Sequence, residues 1–136
     1  MPKNSRRKGK DGELELAHEL SKWGFDCRRG QQFRGGGDSP DVTGLPGVHI
    51  ECKRVERLLL DDAMEQSRRD AEGTDEVPVV MHRRNEKPWK VTMDLADFMN
   101  MYVAATCDSA CVSRFPAVNS NRRADVSLHG TGSLTS

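Results

Sequence analysis

Val77-Pro78-Val79-Val80-Met81 is apolar at every position, not at every second one. A strand with one wet face alternates polar and apolar residues, whereas a strand covered on both faces does not. The run therefore predicts a central buried strand in a sheet that helices cover. The rest of the chain supplies the partners. Ser5 to Lys22 has helical spacing, with Ser5 placed to cap it and Gly24 where a helix commonly ends. Leu59 to Glu72 reads as a second helix, capped by Asp61 or Asp62 and ended by Gly73-Thr74-Asp75. Asp94 is placed to cap a third, with Leu95, Phe98, Met99 and Tyr102 on one stripe. Short strands are expected at Phe25–Arg29, Asp41–Gly44, Val48–Lys53 and Trp89–Met93. The Leu45-Pro46-Gly47 turn would join the second and third strands as a hairpin. The expected order is α-β-β-β-α-β-β-α, an α/β fold with a small mixed β-sheet flanked by helices.

The 136 residues suffice for one compact domain. After Ala105 no period persists and Ser, Asn, Gly, Thr and Arg dominate. The expected organisation is a domain over residues 1–104 and a flexible tail over 105–136. No apolar run approaches the roughly 18 residues that span a bilayer, and the basic N-terminus lacks the apolar core of a signal peptide. Cys27, Cys52, Cys107 and Cys111 show no disulfide framework, which fits a reduced, intracellular protein. Cys107-x3-Cys111 has no second ligand pair at a spacing suited to zinc.

The formal net charge is zero, from 21 basic and 21 acidic side chains. Their distribution is uneven: residues 1–36 carry +4, residues 37–104 carry −5 and residues 105–136 carry +1. The basic groups Arg6-Arg7-Lys8 and Arg28, Arg29 and Arg34, the latter within and beside a Gly-rich stretch, suit phosphate contacts. They equally describe a solvated tail and loop.

Within the acidic middle, three carboxylates occupy unusual positions. Along Gly47–Lys53, Val48, Ile50 and Cys52 share an apolar face, while His49, Glu51 and Lys53 share the other. Asp41 opens the preceding strand directly after Pro40, and hairpin pairing would bring it towards Glu51. Two close carboxylates repel unless a cation or proton offsets them, and Mg²⁺ takes one or two protein carboxylates while keeping waters. Glu13 lies on the stripe of the first helix defined by Leu16, Ala17 and Leu20, with Arg6 two turns earlier. A carboxylate there needs a partner, a metal or a hydrogen-bond network, or it snorkels to water. Gln66 lies at the edge of the apolar arc of the second helix, in reach of the same site or on plain surface. His49 shares the site face and reads as a supporting or surface histidine rather than a ligand.

Pro40-Asp41, nine residues, then Glu51-Cys52-Lys53 resembles the PD-(D/E)XK nuclease signature. Residues 6–104 resemble the archaeal-type Holliday junction resolvase branch of that superfamily, and most of all its small phage and prophage relatives. The stretch from Arg29-Gly30 to Gly37-Asp38-Ser39-Pro40-Asp41 is similar to their Gly-rich basic loop. The resemblance implies a restriction-endonuclease-like core. It implies Asp41, Glu51 and Glu13 as metal-binding carboxylates, the last through water, and Lys53 as the residue that orients the attacking water and steadies phosphate charge. Gln66 matches a polar site residue sometimes found on the second helix. Arg29 and Ser39 would contact the DNA backbone near the cleaved bond, with Arg6, Arg7, Lys8, Arg28 and Arg34 as further DNA contacts. The implied cofactor is Mg²⁺, with Mn²⁺ as a substitute. The implied substrate is branched DNA such as the four-way junction of recombination, cut by a homodimer. The implied setting is the cytoplasm of a bacterial host, with a phage or prophage gene. Two alternatives remain: a nuclease for duplex, flaps or ends, and a DNA-binding relative without turnover.

Overall fold

The computed structural model describes residues 5–31 and 39–107. The elements are α1 (Ser5–Ser21), β1 (Arg28–Arg29), β2 (Val42–Thr43), β3 (Val48–Arg54), α2 (Leu60–Asp70), β4 (Val77–Arg83), β5 (Lys90–Met93) and α3 (Leu95–Thr106). Their order is the one expected, and the fold is α/β. Five strands form one mixed sheet in the order β1-β2-β3-β4-β5. β3 and β4 are parallel, and the other neighbours are antiparallel. A parallel step needs a crossover, which α2 provides.

β4 is buried from Val77 to Met81, and the reason is the covering of both faces. On one face Leu16 and Ala17 of α1 pack with Val42, Ile50, Val79 and Met81. On the other, Ala63 and Met64 of α2 pack with Val80. Pro78 sits inside this strand without an N–H, which a central strand normally rejects. The register explains its tolerance. Val77 N–H donates to Gly47 O at 2.8 Å, towards β3, so the nitrogen of Pro78 faces the β5 side. β5 pairs only from Val79 onward, so no ladder bond is lost there.

Two local expectations are corrected. β1 spans two residues rather than Phe25–Arg29, because Ser21 Oγ accepts the Cys27 N–H at 3.3 Å and holds that stretch against the end of α1. α2 is preceded by Leu59 with no side-chain cap, and Asp61 and Asp62 lie in the first turn, where their charge favours the helix dipole. Val91 is exposed on β5, an edge strand of the sheet.

Two glycines are required by close approach. A Cβ on Gly30 would lie 2.0 Å from the carbonyl oxygen of Pro40. One on Gly44, where φ is +106°, would lie 2.1 Å from that of Asp26. Both hold the loops before and after β2 against β1, which sets where Asp41 emerges.

Ser67 ties α2 to the sheet. It is fully buried, and its hydroxyl lies within hydrogen-bond distance of the carbonyl oxygens of His49 (3.4 Å) and Val79 (3.1 Å). Ser67→Ala is expected to lower unfolding free energy by about 1–2 kcal/mol, the loss of a buried hydrogen bond. Urea denaturation checks this, and an unchanged midpoint would refute it.

The compact body ends at Asp94, and α3 belongs to a separate unit. Asp94 receives a two-pronged ion pair from Arg68 on α2. Within α3 the rings of Phe98 and Tyr102 lie 6.1 Å apart. Arg34, Cys111 and residues 108–136 of the expected tail lie outside the described residues. No helix among the described residues is long and apolar enough to cross a membrane.

Candidate active site

The hairpin of β2 and β3 brings Asp41 to Glu51. Val42 pairs with Ile50, and Asp41, just before it, is close enough to Glu51 to feel its charge. Pro40 explains why the strand opens there: it has no N–H with which to extend the ladder. The Asp41 carboxylate takes over, with Oδ2 accepting the Cys52 N–H at 2.8 Å while Asp41 N–H donates to Ile50 O at 2.8 Å. The side chain is thereby fixed at the point where the two strands part.

Glu51 is 4% exposed on the face of β3 that α2 covers. Lys53 lies two positions on, on the same face, and its Nζ is 2.8 Å from Glu51 Oε1. Glu13 comes from α1, on the other side of the sheet, and its carboxylate is ion-paired with Arg29 of β1. Gln66 is half-buried on α2, and no hydrogen bond links it to Asp41 or Glu51 among the described residues.

The electrostatics show that these groups share one neighbourhood. Burial, then the charge of Glu51, and more weakly that of Glu13, push the Asp41 carboxyl up to about 7. The Cys52 N–H and the charge of Lys53 oppose this but do not prevail. Burial raises the Cys52 thiol, and the charges of Asp41, Glu13 and Glu51 raise it further, so it stays protonated. Burial alone would lower Lys53, but its hydrogen bond with Glu51 and the charges of Glu51 and Asp41 outweigh burial and raise it. The site is thus a pocket of excess negative charge with one fixed ammonium.

That pocket suits a divalent cation of oxygen preference, because a cation would remove the repulsion that holds a proton on Asp41. Among the described residues no three His, Cys, Asp or Glu side chains converge as a ready metal cage. Glu51 is turned to Lys53 and Glu13 to Arg29. The donor set that fits is therefore a carboxylate pair, Asp41 and Glu51, with open positions for water.

The other expected residues lie on α1, on β1 and in the loop before β2. Arg6, Arg7 and Lys8 are exposed on the first turns of α1. Arg28 is exposed and paired with Asp26 at 3.1 Å. Ser39 is half-buried beside Pro40.

The structure adds contacts at two residues that the sequence does not announce. His49 is 1% exposed, its Nδ1 is 3.0 Å from Glu76 Oε2, and its Nε2 is buried without a hydrogen-bond partner among the described residues. Its alternation with Glu51 gave the correct face, but that face is covered by α2 and not wet. Glu15 falls on the polar side of the α1 stripe, yet it holds Arg54 at 2.9 Å and Arg83 at 2.5 Å. No local spacing announces this, because both arginines arrive from strand ends far away in sequence.

Among curated proteins none matches this chain. A similar solved structure is that of Archaeoglobus fulgidus Hjc, a Holliday junction resolvase from an archaeal hyperthermophile. The identity is 28%, over 63% of this chain and 72% of that one, with a TM-score of 0.49. The sequence pattern of the phage putative PDDEXK endonucleases matches residues 4–120, most of the chain, and the chain belongs to that family.

Proposed function

We propose that this protein is a metal-dependent DNA endonuclease that hydrolyses phosphodiester bonds in branched DNA in the manner of a Holliday junction resolvase. The observation that carries the chemistry is the juxtaposition of Asp41, Glu51 and Lys53 at the opening of the β2–β3 hairpin, in a chain of a nuclease family. Asp41 and Glu51 would hold Mg²⁺, with Glu13 contributing through water and Mn²⁺ able to substitute. When bound, the ion supplies a more acidic water and positive charge beside the phosphate. Lys53 adds a fixed positive charge where negative charge develops on the phosphate, and it orients the attacking water. Arg29, held by Glu13, would meet the DNA backbone together with Ser39 and the basic residues of α1. Gln66 is a polar neighbour with a supporting role at most.

The narrowing to branched DNA rests on the resemblance of residues 6–104 to the archaeal-type resolvases. Resolution needs two matched nicks, so this reading implies a two-fold homodimer. The domain would close near residue 104 and act in the host cytoplasm during recombination of phage or prophage DNA.

The test is a synthetic four-way junction, a matching linear duplex and a flap, each with and without Mg²⁺. Symmetric nicks confined to the junction and to Mg²⁺-containing samples are the expected result. Equal cleavage of all three substrates would replace the resolvase reading by a general nuclease. Binding without cleavage at any divalent ion would leave a DNA-binding protein without turnover.

A further inference from the structure

The carboxyl ends of β3 and β4 carry a basic cluster that the hydrolytic site does not use. Arg54 pairs with Arg83 in the parallel register, one position beyond Lys53 and His82. Both guanidiniums converge on a single carboxylate, Glu15, so the trio retains one net positive charge. Arg83 also lies over the Trp89 ring, 5.9 Å from its centroid. These contacts remove much of the rotamer freedom that a free arginine would lose on binding.

The packing around the cluster is close. A Cβ on Gly12 would lie 2.9 Å from the Cβ of Arg54, so α1 approaches the arginine stem only because residue 12 is a glycine. Yet neither arginine is sealed, since their side chains keep 30% and 23% of their surface exposed. The loops beyond them are tied together by the Asn85 N–H donating to Glu56 Oε1 at 2.7 Å, and they expose Arg57, Arg84 and Lys87. From Arg54 to Arg57 and from Arg83 to Lys90 there are six basic and two acidic side chains, in a stretch of chain otherwise rich in acid.

We propose that this rim, centred on Arg54, Arg83 and Arg84, is a second phosphate-binding surface that grips the DNA backbone next to Lys53. It lies on β3 and β4, a set of elements separate from α1 and β1, which carry Arg6, Arg7, Lys8, Arg28 and Arg29. The chemistry favours a polyanion with regularly spaced phosphates: several cations in a fixed array and an arginine fork backed by an aromatic ring. Glu15 is a positioning residue, since it holds both guanidiniums without facing the substrate.

This inference rests on the nuclease reading, and the experiment separates the two. DNA binding is measured over a salt series without divalent ions, for the full chain and for Arg54→Gln/Arg83→Gln. Each lost phosphate contact lowers the slope of log Kobs against log[salt] by about 0.9, so the double variant should be shallower by about 2. Arg54→Lys/Arg83→Lys keeps the charges and should restore most of the slope. An unchanged slope in the Gln variant overturns the rim and leaves the nuclease reading standing. A slope lost equally in the Lys variant overturns it too, because the arginines would then matter for architecture alone. Wild-type protein that binds no DNA, either in this series or with Mg²⁺ present, sinks both. Should the Gln variant fail to fold by thermal unfolding, Arg84→Glu on the exposed part of the rim takes its place. A shallower slope supports the proposal, and an unchanged one overturns it.

Discussion

Glu51→Gln is expected to lower the rate of DNA cleavage by at least about 10³-fold while leaving DNA affinity within about threefold. The isosteric amide keeps an oxygen for the Lys53 ammonium, which stands 2.8 Å from Glu51 Oε1, so the local packing survives. What disappears is a buried negative charge. With it goes half of the carboxylate pair that suits a divalent ion, and the loss of one such preorganised group costs on the order of 10²–10³ in rate even where the ion stays bound. Affinity should change little because the residue is 4% exposed and carries the sign that repels phosphate. Lys53→Met should cost about 10²-fold or more in cleavage, since it removes the one ammonium of the pocket. It also leaves Glu51 buried without its partner, a strongly unfavourable arrangement. Single-turnover cleavage with saturating enzyme separates chemistry from binding. Full activity of Glu51→Gln would reject the site.

The degree to which this was legible follows from what is local. Alternation along Gly47–Lys53 placed Glu51 and Lys53 on one face, and that depends only on the two-residue period of a strand. The apolar run of β4 announced its double burial, because no polar position interrupts it. The Leu45-Pro46-Gly47 turn fixed the hairpin, and hence the approach of Asp41 to Glu51. What failed to show were properties set by distant partners. The shortness of β1 depends on Ser21 capturing the Cys27 N–H. The burial of His49 depends on α2 returning over β3, with Ser67 small enough to dock on the strand backbone. The stripe of α1 singled out Glu13 but hid Glu15, whose partners Arg54 and Arg83 come from strand ends. The basic character of Arg29 shows in the sequence, whereas its ion pair with Glu13 of α1 does not. In each case sequence shows which way a side chain leaves its own element, while its neighbour is decided by the topology.

Asp41 carries the second large effect, on stability and not on rate. Its carboxyl is raised from 3.8 to about 7 in the folded protein, first by burial and then by the charge of Glu51. The unfolded chain has the ordinary carboxylate value, near 3.9. Between those values the folded state holds a proton that the unfolded state has released. Stability therefore falls as pH rises through this window: the contribution is full below about pH 4 and lost above about pH 7. At 1.36 kcal/mol per pH unit, the loss is on the order of 2–4 kcal/mol. Asp41→Asn removes the titration, and its amide oxygen can still accept the Cys52 N–H. Without metal, the variant should be more stable than wild type by that amount at pH 8 and nearly equal to it at pH 4. Mg²⁺ added at pH 8 should recover much of the deficit in wild type, because binding to the folded state alone raises stability, and should do little for the variant. Urea denaturation at the two pH values, with and without Mg²⁺, provides the four comparisons. Parallel pH dependence in wild type and variant would mean that Asp41 is not the strained group. In the expected outcome, the residue that weakens the metal-free fold is the same one that prepares it for a cation, and the destabilisation is a direct reading of the charge gathered at the site.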